Sequence, residues 1–281
     1  MIVAMLDWQQ AAALAVGLLV AGGIAAVVPA RRVRLLRPFA VEGAIVAGLY
    51  AIWQLAGTLS HENVSGAFAR ARWIVRAERD LHLPNEVDVQ HLLTGNAASA
   101  HVIDIYYATM HFSVMGVFLI WLFVRHRDQY RPVRRVLAVL TLFCLLIQLW
   151  LPIAPPRLLH GYGFVDTALK YGQSVYGGGF DADQLSAMPS VHVAWAALVG
   201  VTVWRVSSSS WRVIGPLHFV VTVLVVVSTA NHFWADGIVA IALLVLSTYL
   251  VRWTVAGLTA ARERVRGRPE PVPAPAVVGS V

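Results

Sequence analysis

The sequence predicts an all-α fold, a polytopic transmembrane helix bundle of about seven spans, and three observations carry that reading. First, 58% of the 281 residues are hydrophobic and only 13% are charged, against about 25% charged in ordinary soluble domains. Second, the apolar residues come in long unbroken runs rather than in alternation, which selects helices over strands. In lipid every backbone polar group must be paired internally, so a continuous apolar run reads as a helix. Third, the arginines fall between the runs, and crowded loops alternate with sparse ones.

The runs lie at residues 8–30, 39–60, 104–124, 136–154, 190–206, 212–230 and 233–252. Each is close to the ~20 residues that a helix needs to cross ~30 Å of hydrocarbon. The last is the most polar at its start, where Asp236 stands. The first has no basic residue ahead of it and no clear small-residue cleavage site. It therefore reads as a retained helix rather than a signal peptide.

Basic residues set the orientation, because loops rich in Arg and Lys stay cytoplasmic. One set of alternate loops carries Arg31, Arg32, Arg34 and Arg37, then Arg125, Arg127, Arg131, Arg134 and Arg135, then Arg205 and Arg212. With Arg252, Arg262, Arg264, Arg266 and Arg268 after the last run, that side holds 16 of the 22 basic residues. The other side holds Arg70, Arg72, Arg76, Arg79, Arg157 and Lys170. The expected N-terminus is outside and the C-terminus cytoplasmic, with plasma membrane as the expected location. The net charge of +7 and pI of about 10.1 thus serve membrane orientation, and no nucleic-acid partner is expected. A lone cysteine, Cys144, excludes an internal disulfide and reads as a small buried hydrophobe.

Two long outer segments remain. Residues 61–103 include a mixed-charge stretch from Arg70 to Asp88 with Phe68, Trp73, Ile74, Val75, Leu81 and Leu83 interleaved. That pattern predicts an interfacial helical segment on the bundle. Residues 155–189 are rich in Gly, Tyr and Pro, with a turn signal at Gly177, Gly178 and Gly179. The Pro- and Val-rich tail after Arg268 reads as disordered.

Three short pieces put polar groups at the outer ends of apolar runs, where such groups are functional candidates. In Leu151-Pro-Ile-Ala-Pro-Pro-Arg157, a helix ends in prolines and an arginine follows. A guanidinium suits phosphate because it is always charged and donates a planar fork of N–H groups. Taken alone, an arginine snorkelling at a helix end explains it as well. In Ala187-Met-Pro-Ser-Val-His-Val-Ala-Trp195, Pro189 and Ser190 signal a helix start, with His192 in its first turn. Helix N-termini attract anions, although a satisfied structural histidine fits the piece too. In Ser228-Thr-Ala-Asn-His-Phe-Trp-Ala-Asp236, His232 and Asp236 are four apart and share a helical face. A carboxylate on one imidazole nitrogen makes the other a better nucleophile or base. A purely structural pair is the alternative.

Taken together and in this order, the three pieces resemble the motifs of the type 2 phosphatidic acid phosphatase superfamily. The Ala-Pro-Pro, Met-Pro-Ser-x-His and His-x-x-x-Asp wording is most similar to its inositolphosphorylceramide-synthase-like branch. The resemblance covers roughly residues 104–252, and the first two runs and 61–103 match it only loosely. It implies a six-helix phosphatase-like core plus an extra helix, with the site at the outer end. With the runs and loops read above, the expected organisation is two N-terminal transmembrane helices over 1–60, an extracytoplasmic segment over 61–103, a catalytic core over 104–254 and a cytoplasmic tail over 255–281. His232 would attack phosphorus, Asp236 would orient it, and His192 would act as acid and then base. Arg157, Ser190 and the helix N-termini would hold phosphate oxygens. The implied partners are a lipid phosphate or lipid-linked phosphate and an alcohol acceptor such as an inositol-containing headgroup. The resemblance implies no cofactor and no metal.

The chain also departs from the family pattern. A lysine expected seven positions before Arg157 is Trp150, and an arginine expected six before His232 is Val226. Asn231, Lys170, Arg72 and Arg76 are the candidates to replace these two phosphate clamps. The departure favours the transferase-like branch over a generic phosphatase. His111, near Tyr106 and Tyr107, either lines the substrate pocket or bonds a neighbouring helix. His91 and His101 lack metal-ligand spacing. A lipid phosphate or polyprenyl (di)phosphate phosphatase would share the first half-reaction. A membrane scaffold would not need His232. A transporter would place its site near the midplane between broken helices, whereas these motifs gather at one surface.

Overall fold

The computed structural model describes residues 7–28, 30–59, 66–172 and 185–266, and they form an all-helical bundle. The helices are α1 (Trp8–Val27), α2 (Arg31–Arg34), α3 (Arg37–Leu59), α4 (Ala67–Asp80), α5 (Glu86–Thr94), α6 (Ala97–Arg125), α7 (Arg127–Trp150), α8 (Thr167–Lys170), α9 (Val191–Val206), α10 (Ile214–Ser228) and α11 (Trp234–Arg266). The glycine turn at 177–179 and the tail after Arg268 lie outside the described residues.

Among the described residues, six stretches are long and apolar enough to cross a membrane: Trp8–Val27, Arg32–Ile52, Ala97–Arg125, Arg127–Trp150, Ser210–Ser228 and Trp234–Ala260. Their most apolar windows are only 11–33% buried within the protein. The rest of that apolar surface needs lipid as its solvent, so this is an integral membrane protein. The seventh expected span, α9, has 16 residues, fewer than the other six. It sits in the middle of the bundle against α6, α7, α10 and α11.

Helix bounds run past the apolar runs where charged residues still favour helix. α7 begins at Arg127 rather than 136, with Asp128 in its first turn, where a carboxylate suits the macrodipole. α11 begins at Trp234 and continues to Arg266. Asp236 therefore lies in the first turn of the last span.

The main core joins Leu122, Leu140, Cys144, Val193, Ala194, Val226 and Ala240, all within 2% exposure. α9 and α10 approach closely because both lack a side chain at the crossing. A Cβ on Gly215 would stand 2.8 Å from the Val203 Cβ, and one on Gly200 would stand 3.2 Å from the Gly215 carbonyl oxygen. α1 and α3 form a hairpin beside this core. It is tied on through Glu42, which accepts from Arg134 and, at 3.2 Å, from the Tyr130 hydroxyl.

A second apolar cluster lies over the motif segments. Ala67, Ala71, Ile74 and Val75 on α4 pack with Ile153, Ala154, Leu159, Leu185, Ala187 and Phe233. α4 is amphipathic, as the sequence implies, but Trp73 and Leu81 face outward at 63% and 72% exposure. α4 and α5 form a cap seated on the three motif segments.

Candidate active site

Three chain segments meet beneath the cap. α7 ends at Trp150, and prolines keep residues 152–156 from continuing it. This stretch runs parallel to residues 185–187: Ile153 N–H donates to the Leu185 carbonyl at 2.7 Å, and Ala187 N–H donates to the Ile153 carbonyl at 3.2 Å. Arg157 follows in a short 3₁₀ turn, and its N–H donates to the Ala230 carbonyl at 2.8 Å. Ala230 has φ 51°, a left-handed conformation that costs a non-glycine residue about 1 kcal/mol. It reverses the chain at the end of α10. The Val226 carbonyl then accepts from Asn231 N–H at 3.2 Å and His232 N–H at 3.1 Å.

His232 is 5% exposed and Asp236 is fully buried. The His232 Nδ1 lies 2.7 Å from the Ala187 carbonyl oxygen and 3.2 Å from Asp236 Oδ2. Both neighbours are acceptors, so Nδ1 carries the proton and Nε2 keeps its lone pair. The carboxylate is fixed in turn by Phe233 N–H, which donates to Oδ2 at 2.9 Å. The Ala187 carbonyl comes from the residue that opens the second motif, so that motif helps select the tautomer.

Ser190 caps α9, its Oγ accepting from Val193 N–H at 3.3 Å and its own N–H donating to the Asp236 carbonyl at 3.3 Å. The Met188–Pro189 bond before it is cis. The amides of Val191 and His192, in the first turn, have no acceptor among the described residues. By contrast, α11 satisfies Phe233 N–H with Asp236 and Ala235 N–H with Glu78.

The His192 ring centroid lies 5.7 Å from that of His232. It stacks on Tyr107 at 4.5 Å and meets His111 at 4.1 Å. His192 Nε2 and His111 Nδ1 are buried without a partner among the described residues. Both line a small cavity with Tyr106, Tyr107 and Thr222. His111 is thus in ring contact with His192 and lines the same cavity. Arg157, 7% exposed, donates from Nε to Asn231 Oδ1 at 2.9 Å and from Nη1 to Asp166 Oδ2 at 3.1 Å.

All six sequence-predicted site residues therefore meet in one place. Among the suggested replacement clamps, Asn231 reaches the site through Arg157, whereas Arg72, Arg76 and Lys170 are exposed. Sequence reasoning missed Asp166, the carbonyl of Ala187, Glu78 and Gln90. Asp166 caps α8 at a spacing readable as a helix start, but its ion pair with Arg157 is tertiary. Among the described residues no three His, Cys, Asp or Glu side chains gather in a metal-binding group.

Residues 72–250 match the family model of the PAP2 superfamily. No curated protein and no solved structure matches the chain.

Proposed function

Because the chain belongs to the PAP2 superfamily of lipid phosphatases and phosphotransferases, we propose that it transfers the phospho-headgroup of a lipid through a phosphohistidine on His232, in the manner of an inositolphosphotransferase. One observation carries the assignment of the nucleophile. His232 Nδ1 is held between two acceptors, at 2.7 and 3.2 Å, so Nε2 is the nitrogen left to attack.

In the first half-reaction Nε2 bonds to phosphorus and the bond from phosphorus to the leaving oxygen breaks. His192 delivers a proton to that oxygen. Asp236 stabilises the imidazolium that forms, as a carboxylate does beside a catalytic histidine. In the second, an acceptor hydroxyl attacks phosphorus, His192 takes its proton and the N–P bond breaks. Arg157, Asn231, Ser190 and the first turn of α9 hold the phosphoryl oxygens. Fixed donors in a site closed to water stabilise developing charge without reorganising. Water as acceptor would make the same phosphoenzyme a phosphatase intermediate. The absence of cations at Trp150 and Val226, and the cap over the site, favour an alcohol such as an inositol-containing headgroup.

The proposed setting is the outer face of a plasma membrane, with residues 61–103 outside and 255–281 in the cytoplasm. The 16 basic residues on one set of alternate loops support it. The division into two N-terminal helices (1–60), outer cap (61–103) and catalytic core (104–254) goes with the same reading.

The test incubates purified protein with a panel of phosphorus-labelled lipid phosphates and phosphatidylinositol, with and without alcohol acceptors. Free phosphate is scored against transferred headgroup. The wild type should yield an acid-labile, base-stable phosphoenzyme, and His232→Ala should yield neither phosphoenzyme nor product. Turnover by His232→Ala would sink the assignment.

A further inference from the structure

Two hydrogen bonds join the elbow between α4 and α5 to the start of α11. Ala235 N–H donates to Glu78 Oε1 at 2.7 Å, and Trp234 Nε1 donates to the Pro84 carbonyl at 2.8 Å. Ala235 is the residue before Asp236, so the first bond fixes the turn that carries the His232–Asp236 pair.

Glu78 is 4% exposed and Glu86, on α5, is 5% exposed. The Glu86 carboxyl acts on that of Glu78 across the elbow. Glu78 Oε2 and Glu86 Oε1 are both buried and find no donor among the described residues. Two buried carboxylates in contact repel, but one proton between them supplies the donor that each lacks. Burial first, then the Glu86 hydrogen bond and charge, push Glu78 up to about 9.

Other ionisable groups lie on the elements packed around Glu78. α11 presents Asp236, whose charge pushes the same way, with His232 behind it. The loop beneath α4 presents Tyr162, with Arg79 over its ring at 6.0 Å. At the elbow, His82 and Asp88 are exposed.

We propose that Glu78 is a positioning residue for the phosphoryl transfer. Sharing a single proton with Glu86, it holds Ala235 and thereby sets the first turn of α11 on which Asp236 aligns His232. The outer cap then acts on the reaction only by positioning the start of α11. This inference rests on the proposed role of His232.

Loss of the shared proton would place two adjacent carboxylates beside Asp236. The grip on α11 should then weaken. The sign follows from linkage. Folding raises Glu78 from 4.5 to about 9, so its contribution to stability is complete below the unfolded value and is lost as pH rises through the folded one.

The experiment compares wild type, Glu78→Gln and Glu78→Ala in detergent micelles. Thermal unfolding is followed from acid to alkaline pH, and turnover of a short-chain phosphatidic acid and of phosphatidylinositol is followed over the same range. A glutamine keeps the oxygen for Ala235 and donates permanently to Glu86. Glu78→Gln should retain neutral-pH turnover to within about threefold and lack the alkaline loss of both stability and kcat. Glu78→Ala should lose at least about tenfold in kcat, with KM little changed.

An alkaline limb unchanged in Glu78→Gln, in unfolding temperature and in turnover alike, would overturn the proposal. So would wild-type kcat in Glu78→Ala. If Glu78→Ala fails to fold, the Glu78→Gln profile decides, and the unfolding arm needs no substrate. Phosphoenzyme trapping on wild type and His232→Ala is run in parallel. A failure there removes the nucleophile assignment, whereas a failure confined to the Glu78 variants removes only this proposal.

Discussion

Replacing Asp236 by Asn should separate charge from geometry at the proposed nucleophile. In the wild type the His232 Nδ1 stands 3.2 Å from Asp236 Oδ2. Once Nε2 bonds to phosphorus, the ring is cationic. A unit charge pair at 3.2 Å and an effective dielectric of ~20 is worth about 5 kcal/mol. At 1.36 kcal/mol per decade that is nearly four decades in rate. Two features reduce it. The Ala187 carbonyl, nearer at 2.7 Å, keeps the Nδ1 proton and therefore the tautomer. The asparagine oxygen retains part of the dipole and can still accept from Phe233 N–H. The expected loss in kcat is therefore ~10³-fold, smaller than where a carboxylate alone fixes the tautomer. Folding should survive, because Asp236 Oδ1 already lacks a partner among the described residues and the amide has the same shape. The assay is single-turnover phosphoenzyme formation on a labelled lipid phosphate, with unfolding temperature as the control. A rate within tenfold of wild type would refute the electrostatic role of Asp236.

Four further outcomes follow from the same geometry. Arg157→Lys should lower kcat/KM by ~10²-fold, because an ammonium cannot bond Asn231 and Asp166 in one plane while facing a phosphate; steady-state kinetics on the labelled lipid would show it. A cysteine placed at Leu81 should react with an impermeant probe from outside, and one at Ser208 should react only after permeabilisation; the reverse pattern would invert the topology. Gln90→Ala removes bonds to both Val165 backbone groups and to the Ser228 carbonyl; unfolding should become easier by about 2–4 kcal/mol, and free phosphate should rise relative to transferred headgroup as the cap loosens. Gly215→Ala should lower the unfolding temperature, since its Cβ would meet the Val203 Cβ at 2.8 Å, an overpacking that costs roughly 1–3 kcal/mol.

What the sequence could reveal depended on the range of the interaction. Apolar runs were legible in their order because each run's length is set by the bilayer, but their number was overcounted by one, since the run at 190–206 forms α9 of only 16 residues. His232 and Asp236 were legible because their four-residue spacing is short-range, although they do not share a helical face, since His232 lies in the turn two residues before α11, and Ser190 because capping is local too. The Ala187 carbonyl could not be found this way. It is a backbone oxygen brought to His232 from 45 positions away. Asp166 pairs with Arg157 only through a loop whose path has no periodicity. Glu78 was hidden inside a mixed-charge helix, where solvation is the default reading of a glutamate. Only its burial, against the trend of its neighbours Arg76, Arg79 and Asp80, marks it.

The two departures from the family pattern gain a physical meaning from the surrounding packing. Trp150 is 78% exposed at the end of α7, and Val226 is 2% exposed within the main core. A cation at 226 would be buried among apolar side chains at a cost of several kcal/mol. The Val226 carbonyl also shapes the turn that presents His232. Neither position offers a charge to a phosphate here. Positive potential must come instead from Arg157 and the first turn of α9, which lie deeper than the cap. Above them, Arg70 Nε donates to the Pro152 carbonyl at 2.8 Å, Gln90 holds Val165 and Ser228, and Glu78 holds Ala235. The cap thus bonds to the proline segment, to the following loop and to the turn bearing the histidine, each through a different residue. A site with fewer cations attracts a free phosphate or hydroxide less strongly, and a cap tied at several points hinders water. Under the proposed mechanism both properties would lengthen the life of a phosphohistidine until an alcohol arrives, which a transferase requires and a phosphatase does not.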